Sequence, residues 1–359
     1  MVELERFRGI RVGARLFVVL GAFSFVLWFL VAVFNEKKTG STTEQLVANT
    51  EASMRLRTEV RSWFRKTFPE SAARASEKFG FFEMDRAGFP VTNEDWVILA
   101  HGLDEPGNLW ANLGPALGEA GYNVLEFRYP NDQPVDESSE LLNAALADLI
   151  ETDSSMGGFH LIGHSMGGLV LRNLITHPDL LPAASWSDAH PVKTLIQLGT
   201  PNHGSWLANY RLPVELRDHL FKDYGMDAIL GMVWDGAGEA QLDLKPESPF
   251  LQRLNGRSFP EDIYWVGVAG TGSPVALPSL QGWADALQEP LNDSVDKIQE
   301  TFPEVFKGSG DGVVSIESLQ CDEMNEIHYV DAHHRNMVRD PHVDIPPAIP
   351  IIMGVLERY

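Results

Sequence analysis

A single cysteine, Cys321, stands in a chain of 359 residues, so no intrachain disulfide can form and the fold must rest on a buried core. The same scarcity removes a CxxC redox centre and a Cys/His zinc framework, and Cys321 reads as a spectator thiol. Basic residues are also few: 28 Lys and Arg against 50 Asp and Glu leave a formal net charge of −22. A nucleic-acid surface needs clustered Lys and Arg to neutralise phosphates, so nucleic acid is excluded as a partner. Internal repeats and low-complexity tracts are missing, and no HExxH spacing joins His333, His334 or His342 into a metal site. No metal and no cofactor is therefore expected; calcium alone stays open, because oxygen-ligand sites leave little trace in a sequence.

What the chain does have begins with Leu16 to Phe34, nineteen residues without a charge. At about 1.5 Å per residue this run reaches about 28 Å, the thickness of a bilayer's hydrocarbon core. A cleavable signal peptide would be shorter and would end at small residues, whereas this run ends Val33-Phe34-Asn35-Glu36. The expectation is a cytoplasmic tail over 1–15 and an uncleaved transmembrane anchor over 16–34. Arg6, Arg8, Arg11 and Arg15 precede the span and only Lys37 and Lys38 follow it. The positive-inside rule then leaves the N-terminus in the cytoplasm and the body periplasmic or extracellular. Residues 42–79 are charged and Ala-rich with Pro69 interrupting them, which predicts one or two helices within a juxtamembrane segment spanning 35–90.

From residue 91 to 359 short apolar runs alternate with helical patterns, as in a doubly wound, mostly parallel α/β sheet covered on both faces. The predicted strands are Trp96–Ala100, Asn123–Phe127, Phe159–Ile162, Thr194–Leu198, Ile263–Val268 and Ile327–Val330, with helices over Trp110–Ala120, Ser138–Ile150 and Met166–Thr176. Sites in such sheets gather at the carboxyl ends of the strands, so chemistry is sought just after each run.

After the third run stands Gly163-His164-Ser165-Met166-Gly167-Gly168, a G-x-S-x-G element between an apolar strand and an apolar helix. That context is what a nucleophile elbow requires: glycines permit a strained turn that lifts Ser165 out of the sheet at a helix N-terminus. After the first run stands His101-Gly102-Leu103, where the Leu103 N–H could join that of Met166 in stabilising an oxyanion. His101 itself reads as a hydrogen-bonding residue of this loop rather than as a base. A serine nucleophile needs a base, and the base needs a carboxylate to hold its tautomer. His333 and His334 follow the final strand, and Asp311 lies in the glycine-bounded turn Gly308 to Gly312, with Asp296, Asp331 and Asp340 as rivals for the acid.

These elements resemble the lipase and esterase branch of the α/β-hydrolases, similar to bacterial triacylglycerol lipases and to the families that include GPI-inositol deacylases. The resemblance is carried by HGL at 101–103, GHSMGG at 163–168, LGTPNHGS at 198–205, GDGVV at 310–314 and HRNMVRDPHV at 334–343. It implies an α/β-hydrolase fold with a helical lid at about 206–258 and a triad of Ser165, Asp311 and His334. Met337, three residues on, selects His334 over His333. His101, Gly102, His164, Thr200 and His203 are implied to line the substrate site. The resemblance is weakest before residue 91, at the long insertion from Thr271 to Lys307, and at the additional membrane span. The expected activity is hydrolysis of a lipid or other apolar carboxylic ester, by a protein held to the membrane through its N-terminal helix. Acyl transfer through the same triad, or a membrane-tethered homologue without activity, are the alternatives; chemical class of head group, acyl length and oligomeric state leave no mark in the sequence.

Overall fold

A computed structural model describes residues 78–85, 88–103, 108–130, 133–153, 156–205, 239–273, 303–305 and 308–359. The expected membrane span at 16–34, most of the helices expected within 42–79, the first part of the expected lid at 206–238, and Asp296 all lie outside the described residues. Among the described residues no helix is long and apolar enough to cross a membrane.

Among the described residues seven strands form one sheet: β1 (Gly80–Glu83), β2 (Trp96–Ala100), β3 (Asn123–Arg128), β4 (Phe159–His164), β5 (Val192–Leu198), β6 (Tyr264–Gly270) and β7 (Glu326–Val330). Their order is β1-β3-β2-β4-β5-β6-β7, with β1 antiparallel to β3 and every other pair parallel. The helices α1 (Leu113–Glu119), α2 (Val135–Thr152), α3 (Met166–Thr176), α4 (Glu239–Asp243), α5 (Pro249–Asn255), α6 (Ile316–Leu319) and α7 (Ala348–Leu356) fill the connections and the C-terminus.

The sequence revealed six of these strands. β1 lies inside the juxtamembrane segment expected over 35–90, just after the helices expected within 42–79, so the sheet begins at Gly80, ahead of the boundary expected at 91. Four residues, GFFE, on an edge that pairs on one side only, are too few to display an alternating pattern.

Alternation along the strands explains why both faces are covered. Ile98, Ala100, Phe159, Leu161 and Leu195 enter one apolar cluster with α2, α3 and α5. Val97, Leu99, Ile162, Ile196 and Leu198 enter the other, against α1 and α7. Side chains of period two thus feed two cores, which is why the runs read as continuously apolar. At about 25 cal/mol per Å², each such buried Leu, Ile or Val contributes about 1.5–3 kcal/mol. α3 is buried along ten of its eleven positions, which fixes the serine at its N-terminal end on a rigid support.

Helix α5, within the range expected to be lid, belongs to the first core: Phe250, Leu251 and Leu254 are buried there. An apolar stripe at helical spacing looks the same whether it covers a cleft or closes a core, and here Ser248 caps the helix and turns the stripe inward.

Parallel register aligns the strand ends. Ala100 pairs with Gly163, His164 with Leu198, Leu198 with Val268, and Gly270 with Val330. The residues that follow, His101 to Leu103, Ser165, Gly199 and Thr200, and Ala332 to His334, therefore gather along one edge of the sheet.

Candidate active site

Ser165 occupies the turn between β4 and α3 with φ 55° and ψ −128°, a region non-glycine residues rarely adopt. Such strain costs about 1–3 kcal/mol and persists only where surroundings over-determine it. They do so here: the Ser165 N–H donates to Leu198 O at 2.8 Å, and its carbonyl accepts from the Gly168 N–H at 3.0 Å. Glycine is required on both sides. A Cβ at Gly163 would lie 2.5 Å from Gly168 Cα, and one at Gly167 would lie 2.2 Å from Ala100 O. The turn can therefore close only where both strands can approach the helix without side chains between them.

Asp311 and His334 form a buried pair, with Asp311 Oδ2 2.7 Å from His334 Nδ1. A carboxylate there draws the imidazole proton to Nδ1 and leaves the lone pair on Nε2. The other Asp311 oxygen, Oδ1, accepts from the Val313 and Val314 N–H groups at 2.9 and 2.7 Å. The backbones interlock too, the His334 N–H donating to Asp311 O at 3.0 Å. Gly199, at φ +55°, lies beneath the pair, where a Cβ would stand 2.8 Å from Asp311 Oδ2 and 3.0 Å from His334 Nδ1.

The geometry separates the rivals. Asp331 and His333 are exposed, and Asp340 is turned into its own loop, accepting from the His342 N–H and the Asn336 side chain. Among the described residues the Ser165 hydroxyl makes no hydrogen bond, to His334 or to another group; such bonds are often long before substrate arrives and tighten in the complex. His164, just before the serine, is fully buried, and its Nε2–H donates to the His334 carbonyl at 2.8 Å, with the two rings 4.5 Å apart. His334 and the strand end that carries Ser165 are thus tied together through one buried imidazole.

Gly102 packs directly on the serine, since a Cβ there would stand 2.7 Å from Ser165 Cβ and 3.3 Å from its Oγ. Neither the Leu103 N–H nor the Met166 N–H donates to a backbone carbonyl among the described residues. Leu103 and Met166 are both buried residues, and Met166, next after Ser165, opens α3, where the helix end favours negative charge. Thr200 is fully buried, with its side chain against Gly168, where a Cβ would meet its Oγ1 at 2.0 Å. His203 is exposed and tethered, its ring bonded to Gln320 O at 2.9 Å. Among the described residues no group of His, Cys, Asp or Glu side chains is arranged to hold a metal ion.

Other supporting residues gave no motif. Tyr129, after β3, stacks on His101 and hydrogen-bonds its carbonyl. Beneath the elbow, Gln197 Nε2 donates to Gly168 O at 2.9 Å, and Asn202 Nδ2 donates to Gln197 Oε1 at 2.8 Å and to Leu319 O at 2.7 Å. Arg172, 1% exposed, donates to Asn202 and Asn255 Oδ1 at 3.2 and 2.7 Å and lies over the Trp265 ring. Burial holds its pKa below the usual guanidinium range. This network ties α3 to the loop after β5, and its one sequence signal is the Asn202 of the LGTPNHGS run.

The fold has relatives among known structures. The mature form of the lipase BlEst2 from Bacillus licheniformis superposes with a TM-score of 0.52 at 16% identity, covering 77% of this chain and 97% of that one. Its propeptide form gives 0.51 at 16% identity, over 77% of this chain and 53% of that one. No curated protein matches the sequence. A family model described as "Alpha/beta hydrolase family" matches residues 97–316, a span that holds β2, the elbow at Ser165 and the turn of Asp311. With more than half of the chain matched, and a serine turn of this geometry at the centre of the match, the chain belongs to the alpha/beta hydrolase family.

Proposed function

We propose that this protein is a serine carboxylic-ester hydrolase of lipase or esterase type, acting on a lipid or similarly apolar ester. The observation that carries the reading is the buried Asp311–His334 pair, held at 2.7 Å on the same sheet edge as the strained Ser165. In this reading His334 Nε2 takes the Ser165 proton as Oγ attacks the ester carbonyl, and the carbonyl oxygen becomes an oxyanion between the Leu103 and Met166 N–H groups. Collapse expels the alcohol, which receives the proton from His334. Water, deprotonated by the same ring, then attacks the acyl-enzyme and releases the acid and Ser165. Asp311 stabilises the imidazolium in both halves, and each oxyanion donor is worth about 3 kcal/mol of barrier.

Support for an apolar substrate comes from the resemblance of the five sequence elements to lipases, and from the lipase BlEst2 as a relative in fold. The uncharged run at 16–34 supports a membrane anchor with the catalytic domain outside the cytoplasm; protease protection of tagged spheroplasts tests that placement. The activity is tested with p-nitrophenyl esters of rising acyl length. Turnover that increases from acetate to longer chains and vanishes in Ser165→Ala supports the reading; full turnover in Ser165→Ala refutes it.

A further inference from the structure

The loop that carries Leu103 is gripped by side chains that take no part in the proton transfers. Two successive peptide planes are each held by the carbonyl. The Tyr129 hydroxyl donates to His101 O, and the His101 Nδ1–H donates to Gly102 O at 2.9 Å. The second bond fixes the tautomer, because a carbonyl can only accept. The two rings are stacked, 4.4 Å apart and 13° from parallel, so the tyrosine both anchors the first plane and holds the imidazole that anchors the second. Both residues are buried, Tyr129 to 2% and His101 to 6% exposure, and burial pushes the His101 imidazole down to about 4, so it stays neutral at neutral pH.

A trans peptide bond points its C=O and its N–H in opposite directions. The Gly102 carbonyl and the Leu103 N–H belong to one such plane. With the carbonyl drawn to the His101 ring, the Leu103 N–H faces the other way, and Gly102 lies against the Ser165 side chain. Gly167 completes the vice, since its Cα approaches so closely that a Cβ would stand 2.5 Å from His101 O.

We infer that His101 and Tyr129 are positioning residues that orient the Leu103 N–H toward the oxygen of the reacting carbonyl, His101 acting through Gly102 O and Tyr129 acting through His101. Without them the Gly102–Leu103 plane can rotate, and the donor is no longer organised before the oxyanion forms. The inference rests on the ester-hydrolase reading.

The test compares His101→Ala, His101→Gln, His101→Asn and Tyr129→Phe on an oxygen ester and on its thiono counterpart, in which sulfur replaces the carbonyl oxygen. Sulfur accepts hydrogen bonds weakly, so the oxygen-to-sulfur ratio of kcat/KM measures how well the donors are aimed. His101→Ala and His101→Gln should lose about 10²-fold in kcat, the scale of one oxyanion donor, with KM within about threefold and the ratio falling in parallel. Asn presents an amide N–H close to the place of Nδ1 and should restore most of the rate and the ratio. Tyr129→Phe keeps the stack and should show a smaller fall of both. A kcat loss at an unchanged ratio, or Asn no better than Gln, overturns the inference, and the Asn and Gln pair decides the matter if the Ala variant does not fold. If the unaltered protein neither turns over esters nor labels at Ser165, the hydrolase reading fails first; if it does both and the ratio is insensitive to residue 101, this inference alone fails.

Discussion

Replacing Asp311 by Asn changes one atom in a setting that dictates the outcome. Asp311 Oδ1 accepts from the Val313 and Val314 N–H groups at 2.9 and 2.7 Å, while Oδ2 accepts from His334 Nδ1 at 2.7 Å. An asparagine has one acceptor oxygen to serve both sides. Turning its NH2 toward the two backbone donors would leave two buried N–H groups unpaired, at about 1–3 kcal/mol each. The oxygen therefore stays with Val313 and Val314, and the NH2 faces the ring. His334 can accept that donor only by moving its own proton to Nε2, which removes the lone pair that should take the Ser165 proton. A ring held in the wrong tautomer lowers kcat by about 10⁴-fold, or about 5 kcal/mol of barrier. Saturation kinetics on a p-nitrophenyl ester, with a melting curve to show that the fold persists, read the effect. A folded Asn variant whose kcat stays within tenfold would refute the reasoning.

Four further perturbations follow from the same contacts. Gly163→Ala places a Cβ 2.5 Å from the Gly168 backbone, which cannot yield as a side chain could, and should cost about 3 kcal/mol in denaturant titration together with activity; a neutral effect would mean the elbow is looser than described. Gly199→Ala adds a Cβ beneath the Asp311–His334 pair at φ +55°, and should lower kcat far more than KM; unchanged kcat would show that the pair tolerates displacement. His164→Phe leaves the buried His334 carbonyl without its donor, at about 1–3 kcal/mol, whereas Gln, with an N–H near the place of Nε2, should recover part of the melting temperature; equal melting of the two would contradict this role. Asp243 is buried and accepts from the Val135 N–H at 2.9 Å, and burial, with Asp136 and Glu137 beside it against a single Arg253, pushes its carboxyl up to about 7. Between the unfolded value of 3.8 and that value the folded chain binds the extra proton, so this stabilisation is complete below about pH 4 and lost as pH rises through 7. Asp243→Asn should therefore raise the melting temperature more at pH 8 than at pH 5; an equal rise at both would refute it.

The parts of this molecule that were legible in the sequence are those written in local pattern. Six of seven strands alternate or run apolar, the inner ones because both faces are buried, and the elbow is legible because glycine spacing, strand and helix coincide around Ser165. β1 was hidden by its four-residue length. The acid among Asp311, Asp331 and Asp340 could be ordered only by family resemblance, since which carboxylate reaches His334 depends on the return of the chain from a long insertion to the end of β6. The role of α5 was illegible because a core-facing stripe and a cleft-facing stripe have one periodicity. The Arg172–Asn202–Gln197 network shows in the sequence only through the Asn202 of the LGTPNHGS run, and the grip on two peptide planes only through His101; Arg172 lies on α3, Gln197 on β5 and Tyr129 beyond β3, and only packing brings these partners together.

The central claim is that Ser165 is the nucleophile and that His334 and Asp311 activate it. Peptide mapping after brief exposure to a fluorophosphonate tests it most directly. The account requires a single phosphonate adduct on the peptide containing Ser165, formed rapidly in the unaltered protein and slowed by orders of magnitude in His334→Ala and Asp311→Asn. An adduct on another residue, or labelling of Ser165 at the same rate in all three proteins, would contradict it.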